Sequence, residues 1–441
     1  MRRAGARWEV TRTDVVRPGS AARARGGGRR ELLAGAVGAA VESFDWTIYA
    51  VMAPYFASQM FAGDDELTKL LAAYAGFAVS FVVRPLGSYL FGRLADSRGR
   101  RFALVASMGT ICLGSLLISA LPTAASIGIA APVLLVLLRA VQGVAMGGEP
   151  PSVAAYITET APKDRRFLYS GLSHGGVIVG NVLCFAVVGF LLLWMGERGV
   201  ADGGWRLGFV FAALFGLLAF WVRRTAAESG AFERAATSGA AQPVRVRAHV
   251  RNMVAVFLMT TGTTVGYYFG TTYLPAYAAQ VGVAHAASNN LSMIPSLLVL
   301  LVAMAVSGLL ADRFGGMRVF RAGVGMLVVI TVPVMAGLAG GVLPLWAATV
   351  IYLVLGVGPT VALVNVLFTR MFPVGVRVVC MGLPYTLAVA LFGGTFPMVA
   401  QALGAVGLLH AVPWVAASLA AVSLAGTAVL KREAHESSGP A

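Results

Sequence analysis

The sequence predicts an all-α membrane protein with twelve transmembrane helices in two six-helix bundles, and three observations carry this prediction. First, the 441 residues are 58% hydrophobic and only 12% charged, with a mean hydropathy of +0.79, whereas soluble proteins carry roughly 25% charged residues. Second, apolar stretches of about 20 residues, the length that spans a bilayer as a helix, recur along the chain. Third, a charged motif between two of these stretches recurs in the second half.

The apolar stretches divide six and six around a long polar segment. They lie at residues 33–57, 69–92, 102–121, 130–157, 167–195, 205–222, 252–279, 288–310, 317–339, 343–370, 378–402 and 405–430. Lipid leaves only helices or closed barrels, and runs this long favour helices. The predicted organisation is a disordered tail (1–32), a first bundle (33–224), a central cytoplasmic loop with a short amphipathic helix (225–250), a second bundle (251–431) and a tail (432–441).

The net charge of +15 follows the predicted topology. When twelve spans cross the membrane, 29 of the 34 Lys and Arg fall on one side, and only Lys69, Arg198 and Arg206 fall on the other. Because cytoplasmic loops carry the excess of basic residues, we expect a multi-pass protein of the plasma (inner) membrane with both termini in the cytoplasm. The basic charge then needs no nucleic-acid partner.

Three cysteines within spans indicate neither a metal site nor a disulfide framework, and we expect no cofactor.

The recurring motif occupies residues 92–101 and, in a weaker copy, residues 308–318. Each copy lies in the short gap between two spans, on the same side of the membrane, so the halves should be related by an axis along the membrane normal. Duplication on this scale is typical of secondary transporters, which build two halves around a central site. The residues that we predict to form this gating motif are Gly92, Asp96, Arg100, Arg101, Gly308, Asp312 and Arg313.

Five ionisable residues lie well inside predicted spans: Glu42, Asp45, Arg84, Arg139 and Glu149. Each costs several kcal/mol unless it is paired or hydrated, so each is a functional candidate. At 1.5 Å per helical residue, they form two layers, with Glu42, Arg84 and Glu149 below and Asp45 with Arg139 above.

The three acids outnumber the two arginines of this group. If both arginines are paired, one carboxyl group remains for a proton to neutralise, and moving an arginine away from its partner changes the proton affinity of the acid. We therefore predict proton coupling by Glu42, Asp45 and Glu149. The alternative is a pair of static salt bridges that hold the bundle together.

The second half carries no equivalent charges. Its seventh span is instead rich in Thr and Tyr between residues 260 and 273. A polar, uncharged wall facing a charged one would suit a small substrate with an anionic group. The predicted substrate-binding residues are Arg84, Arg139, Tyr267, Tyr273, Asn365 and Tyr385.

These motifs resemble a known family. Residues 92–101 and 308–318 resemble motif A of the major facilitator superfamily, and residues 139–149 resemble its motif B, which is associated with proton coupling. Residues 42–46, 84–87, Tyr385 and 392–395 are similar to the metabolite:proton symporter family within that superfamily. Residues 92–96, 271–273 and the segment from Phe392 most resemble the 2-oxoglutarate (dicarboxylate) permease branch of that family.

The resemblance implies the major facilitator fold and a role for each buried charge. Arg84 would meet a substrate carboxylate, whereas Asp45, Glu42 and Arg139 would serve coupling. Motif A would gate the cytoplasmic side, with Asp96 capping a helix end.

Two kinds of transporter and one other class remain as hypotheses. The first is a proton-coupled symporter that imports a small carboxylate such as 2-oxoglutarate, or alternatively a zwitterionic compatible solute, by alternating access. Its site would lie near the bilayer midplane, between spans 1, 2, 4 and 5 and spans 7, 8, 10 and 11. The second is a proton antiporter that exports a drug or secondary metabolite. Drug exporters of the superfamily that these motifs resemble usually carry a Gly-Pro-rich motif in span five, and the absence of proline from span five here disfavours this hypothesis. An enzyme is disfavoured because the five His are scattered. We expect a monomer in the lipid bilayer.

Overall fold

The computed structural model describes residues 20–63, 65–98, 100–147, 154, 161–162, 164–225, 246–283, 286–372 and 377–430. Within these residues twelve membrane-spanning segments follow one another in two groups of six, which confirms the predicted fold. The first bundle comprises α1 (Ser20–Met60), α2 (Glu66–Val82 continued by Arg84–Arg98), α3 (Arg100–Ser119), α4 (Ala130–Met146), α5 (Arg166–Gly199) and α6 (Trp205–Thr225).

The second bundle begins after the central loop. It comprises α7 (Val250–Tyr268, Phe269–Tyr273 and Leu274–Gln280), α8 (Ala286–Phe314), α9 (Gly316–Ala339), α10 (Leu345–Tyr352, Leu353–Val357, Gly358–Val361 and Val364–Thr369), α11 (Arg377–Ala388, Val389–Gly393 and Phe396–Ala405) and α12 (Val412–Val429). We call the side of the molecule where α2 meets α3 and α8 meets α9 the motif face.

Hydropathy alone identifies only part of this set. Seven of the described helical segments are long and apolar enough to cross a membrane, and one of them, Arg166–Val222, is a continuous run that contains both α5 and α6. Two shorter apolar segments correspond to α3 and α4. The remaining helices, α1 and α7, carry the buried acids and the threonine-rich stretch, which lower their hydropathy.

Helix α2 is interrupted at Val83, directly before Arg84. Pro85 is the cause, because proline lacks the N–H that would continue the hydrogen-bond ladder and its ring clashes with the preceding turn. The break falls where the chain packs closely against α4: a Cβ at Gly143 would overlap the carbonyl oxygen of Ser80, and one at Gly147 would overlap that of Arg84. The proline and the two glycines together fix the position of Arg84 inside the bundle.

The two bundles meet along α5 and α8, and along α2 and α11. Small residues permit the first contact: a Cβ at Gly308 would lie 2.6 Å from the Cα of Leu168, and one at Gly171 would lie 2.7 Å from the carbonyl oxygen of Met304. In the second contact, Gly394 faces the ring of Phe81. The glycines of α5 therefore allow close helix approach on two sides, with Gly171 against α8 and Gly176 against Ala36 of α1.

Three helices of the second bundle contain a π-helical turn. These turns are Phe269–Tyr273 in α7, Leu353–Val357 in α10 and Val389–Gly393 in α11. π-Turns re-aim side chains and are frequent at functional sites. All three helices contribute to the cavity described below.

The ends of some elements differ from the prediction. Helix α1 begins at Ser20, so part of the segment predicted as a disordered tail is helical, because its Ala and Arg residues favour helix and extend α1. Residues 1–19 and 431–441 lie outside the described residues. Of the central loop only the short turn Val246–His249 is described beyond Thr225, so the predicted amphipathic helix also falls outside them.

Candidate functional site

A cavity of about 140 Å³ lies between the two bundles. Its size is close to that of an engineered cavity of about 150 Å³ that admits benzene, so it suits a small metabolite. Helices α1, α2, α4 and α5 line one side and α7, α10 and α11 the other, whereas α8, which was predicted to contribute, supplies no lining residue among those described. The polar lining residues are Glu42, Arg84, Ser173, His174, Thr260, Thr263, Thr264, Tyr267, Tyr268, Asn365, Tyr385 and Thr386.

Arg84 and Glu42 form the charged wall of the cavity. Arg84 Nη1 lies 3.6 Å from Glu42 Oε1, and both side chains are almost fully buried. The guanidinium also lies 4.1 Å from the ring centroid of Phe81 and 5.1 Å from that of Trp46. These cation–π contacts hold the arginine in place without using its N–H donors.

The pairing of Arg84 with Glu42 is loose. The separation of 3.6 Å exceeds the range of a good N–H···O hydrogen bond, and Arg84 Nη2 makes a weak contact with Met146 Sδ at 3.6 Å. Among the described residues, Arg84 Nε has no hydrogen-bond partner. A planar guanidinium with unused donors is suited to bind a carboxylate through two parallel hydrogen bonds.

Asp45 and Arg139 form a second, tighter ion pair that does not line the cavity. Arg139 Nη1 lies 2.9 Å from Asp45 Oδ2, and neither side chain is more than 1% exposed. Gln142 Nε2 donates to Asp45 Oδ1 at 3.1 Å, Gln142 Oε1 accepts from Arg139 Nη1 at 2.9 Å, and Ser115 Oγ also donates to Asp45. This network lies within the first bundle, so Arg139, predicted to bind substrate, does not contact the cavity in this structure.

The two pairs reproduce the two predicted layers. Glu42 pairs with Arg84 and Asp45 pairs with Arg139, as the depth estimate indicates. The third predicted coupling residue, Glu149, lies outside the described residues.

Three of the four uncharged residues predicted to bind substrate line the cavity: Tyr267, Asn365 and Tyr385. The fourth, Tyr273, does not. It is the last residue of the π-turn of α7, where its hydroxyl donates to Gln280 Oε1 at 3.1 Å and its ring packs against Phe396. At 3.6 residues per turn, Tyr273 lies about 120° from Tyr267 around the helix, so even a regular helix turns it away from the cavity.

Sequence reasoning missed two residues on α5. His174 lines the cavity, and its Nδ1 lies 3.3 Å from Asn365 Nδ2 of α10. Asn181 Oδ1 accepts from Ser43 Oγ at 2.5 Å and from Thr47 Oγ1 at 2.9 Å, and its Nδ2 donates to Tyr267 Oη across the bundle interface at 3.0 Å. The available signal was that both polar residues lie among the glycines of span five.

Asp312 of the second motif copy connects the bundles at the motif face. Its Oδ1 accepts from the backbone N–H of Phe167 and its Oδ2 from that of Leu168, both at 3.0 Å. A carboxylate at a helix N-terminus satisfies free N–H groups and complements the helix dipole. Gly308 allows the close approach, and Arg313 stacks on Phe314 at 5.3 Å.

Of the first motif copy, Gly92 and Asp96 lie in the last turns of α2, and Arg100 and Arg101 begin α3. Their side chains lie outside the described residues, so the predicted capping by Asp96 stays a prediction.

Known proteins resemble this chain over most of its length. Residues 35–397 match the Major Facilitator Superfamily. An alpha-ketoglutarate permease of Escherichia coli is 31% identical over 394 residues, covering 89% of this chain and 91% of the relative. An ectoine/proline transporter of Corynebacterium glutamicum is 30% identical over 83% of this chain and 76% of the relative.

Solved structures show the same fold. The crystal structure of a D-xylose-proton symporter matches with a TM-score of 0.73 at 18% identity, covering 92% of this chain and 98% of the other. The shared fold, the match over residues 35–397 and the permease at 31% identity together support the resemblance inferred from the motifs. The chain belongs to the Major Facilitator Superfamily and is a multi-pass membrane transporter.

Proposed function

We propose that the protein is a proton-coupled symporter that imports a small organic carboxylate such as 2-oxoglutarate by alternating access. The observation that carries this proposal is the loose Glu42–Arg84 pair on the wall of a small cavity between the bundles. The alpha-ketoglutarate permease among the relatives supports the same substrate class.

The ion pair provides a reason for coupling. When a substrate carboxylate takes Arg84, Glu42 loses this ion pair while it is still buried, and breaking a buried ion pair costs about 3–5 kcal/mol. A proton on Glu42 removes this cost. Substrate and proton therefore bind together on the side from which both enter, and proton loss restores the pair and expels the substrate on the other side.

The second ion pair is assigned to coupling as well. Asp45 lies one helical turn from Glu42 on α1, so a shift of α1 that accompanies protonation of Glu42 changes the Asp45–Arg139 contact. Arg139 meets the substrate only in a state in which this contact opens. Glu149 keeps its predicted coupling role, and Asp312 with the first motif copy closes the motif face.

The orientation follows from charge. The motif face carries the Arg-rich loops, so we place it and both termini on the cytoplasmic side of the plasma (inner) membrane. The site is enclosed within a single chain, and we propose that the monomer is the transporting unit.

Uptake of radiolabelled solutes into proteoliposomes tests the proposal. The panel is 2-oxoglutarate, citrate, shikimate and betaine, each with and without an imposed pH gradient. We expect gradient-driven uptake of 2-oxoglutarate in the wild type. Arg84→Ala should reduce it at least about 30-fold, because truncating one partner of a buried charge pair costs about 2–5 kcal/mol.

Arg321→Ala is the matched control, because Arg321 lies outside the cavity and bonds Thr427 of α12. It should leave uptake close to wild type. Full uptake by Arg84→Ala, or uptake that ignores the pH gradient, contradicts the proposal. Drug-dependent proton efflux without uptake of any panel member would indicate an exporter.

A zwitterionic compatible solute is a second candidate. Glu42 and Arg84 present both signs of charge to the cavity, so one zwitterion could pair with both. The ectoine/proline transporter among the relatives favours this reading. Betaine uptake that 2-oxoglutarate does not inhibit would favour a zwitterionic substrate over the carboxylate.

A further inference from the structure

The imidazole of His174 lies on the cavity wall that α5 contributes. It is surrounded by protein yet keeps accessible surface, and that surface belongs to the cavity. Among the described lining residues, the groups that can bear a positive charge are His174 and Arg84, which come from different helices, α5 and α2. The wall thus offers a second place where an anionic group can be bound.

The surrounding hydrogen bonds fix the tautomer of His174. Ser173 Oγ donates its only hydrogen to the carbonyl oxygen of Ser170 at 2.7 Å, so it can only accept from Asn365, whose Nδ2 lies 3.4 Å away. The Asn365 atom in this position is therefore the amide nitrogen, which is a donor. Because that nitrogen also faces His174 Nδ1 at 3.3 Å, Nδ1 accepts and the proton of the neutral ring lies on Nε2.

Within the described part of the chain, His174 Nε2–H is left as a donor for a ligand. Asn365 Nδ2 is the hydrogen-bond partner that the described residues provide for the ring, and it occupies Nδ1. The ring is held from a helix of the opposite bundle, so its orientation depends on the closed arrangement of α5 and α10. A donor held in this way binds a carboxylate through a charge-assisted hydrogen bond.

We propose that His174 binds the second carboxylate of a dicarboxylic substrate, the one that does not pair with Arg84, and that Asn365 positions the ring. This inference rests on the proposed import of a small carboxylate. It makes His174 the residue that selects dicarboxylates over monocarboxylates and zwitterions. The substrate then spans the cavity from α2 to α5, and a monocarboxylate, which binds only at Arg84, is transported with a higher KM than a dicarboxylate.

The test compares two substrates that differ only at the far end. 2-Oxopentanoate has the five-carbon chain and the 2-oxo acid of 2-oxoglutarate, with a methyl group in place of the second carboxylate. His174→Phe keeps a ring of similar size without the donor. It should raise the KM for 2-oxoglutarate about 10- to 100-fold, the range for a hydrogen bond to a charged group, and change the KM for 2-oxopentanoate less than about twofold.

Two further variants separate a binding role from a structural one. His174→Gln places an amide N–H near the position of Nε2 and should recover a large part of the lost affinity for 2-oxoglutarate. His410→Phe is the matched control, since His410 lies outside the cavity, and it should resemble the wild type. Substrate-dependent fluorescence of Trp46, which lines the cavity, reports binding in detergent for any variant that is folded but inactive.

The outcomes distinguish this inference from the proposed function. A wild-type KM for 2-oxoglutarate in His174→Phe overturns the inference and leaves the function standing. Equal losses for the two substrates overturn it too, because they indicate a packing role. If the wild type transports neither compound, the proposed function fails and the assignment of His174 fails with it.

Discussion

The two bundles share one architecture but differ in their buried chemistry. The first holds two ion pairs, Glu42–Arg84 and Asp45–Arg139, inside the membrane. The second holds threonines that bond to their own helix, such as Thr260 to the carbonyl oxygen of Val256, and three π-turns. The helical architecture occurs twice, and among the described residues the two buried ion pairs both lie in the first bundle.

The difference has an energetic side. A buried ion pair gains little net stability, because desolvation offsets the attraction, and it becomes costly only when one partner is lost. A threonine hydroxyl bonded within its own helix is nearly neutral. Under the proposed mechanism, the first bundle responds to protons and anions, whereas the second provides shape and neutral hydrogen bonds.

The largest expected effect comes from breaking the Asp45–Arg139 pair. Arg139→Ala leaves Asp45 buried without its cation and should cost about 3–5 kcal/mol of stability. The double variant Asp45→Asn with Arg139→Gln removes both charges and should recover most of that loss. Thermal unfolding in detergent measures both.

Thr271→Val is the matched control in the second bundle, where the hydroxyl bonds to the carbonyl oxygen of Tyr267 at 2.7 Å. It should change stability by less than about 1 kcal/mol. An Arg139→Ala variant as stable as Thr271→Val would remove the energetic distinction between the bundles.

An intermediate effect is expected at Glu42. Glu42→Gln keeps the shape of the side chain but carries no proton to exchange, so exchange of substrate across the membrane should continue while gradient-driven accumulation is lost. For one coupled proton the loss is about tenfold in accumulation ratio per pH unit. Counterflow and gradient-driven uptake, measured on the same proteoliposomes, report exchange and accumulation separately. Thr264→Val, on the facing wall of the cavity, is the control and should keep its dependence on the pH gradient. If Glu42→Gln still accumulates substrate, the coupling role belongs to another acid.

The smallest effect is expected at Asp65, an acid of the same bundle that lies in water. It caps α2 by accepting from the backbone N–H of Thr68 at 2.9 Å, and hydrogen bonds from the side chain and backbone of Thr68 lower its pKa below the usual 3.8. Because the folded pKa is lower than the unfolded one, the cap stabilises α2 at neutral pH, and this contribution disappears as the pH falls through the folded value. The protection factors of the Leu67 and Thr68 amides, which correct for the pH dependence of intrinsic exchange, should therefore fall below pH 3.8 and, in Asp65→Ala, be low at any pH.

Uptake at neutral pH should be the same in Asp65→Ala and the wild type. Such a result sharpens the comparison of the two bundles, because it attributes the proton sensitivity of transport to acids that are buried, and not to an exposed acid in the same bundle. A transport defect in this variant would contradict that assignment.

Much of the fold was predictable because it depends on length and hydrophobicity along one dimension. The twelve spans and the two charge layers follow from counting residues along helices, and the pairs Glu42–Arg84 and Asp45–Arg139 match the estimated depths. The depth of a residue along its helix does not determine, however, in which direction its side chain points. Glu42 and Asp45 lie about 60° apart around α1, yet one faces the cavity and the other the bundle interior.

The rest of the site depends on contacts between helices that are far apart in sequence. His174 becomes a cavity residue only because α10 places Asn365 beside it. Tyr273 contacts Gln280 and Phe396 instead of the cavity, as its position about 120° from Tyr267 around α7 already implies. The contact of His174 with Asn365 is not contained in a linear pattern, and a single histidine among glycines carries no motif.

The balance of charge within the first bundle has an electrical consequence. The four side chains of the two ion pairs sum to zero, so when the bundle reorients they carry no net charge through the membrane field, and voltage does work of about 2.3 kcal/mol per 100 mV only on net charge that moves. Because the protein returns to its starting state in each cycle, the current per transported molecule equals the protons minus the charges of the substrate. For a dianion, two protons make the cycle electroneutral, and a third makes it driven by a negative interior.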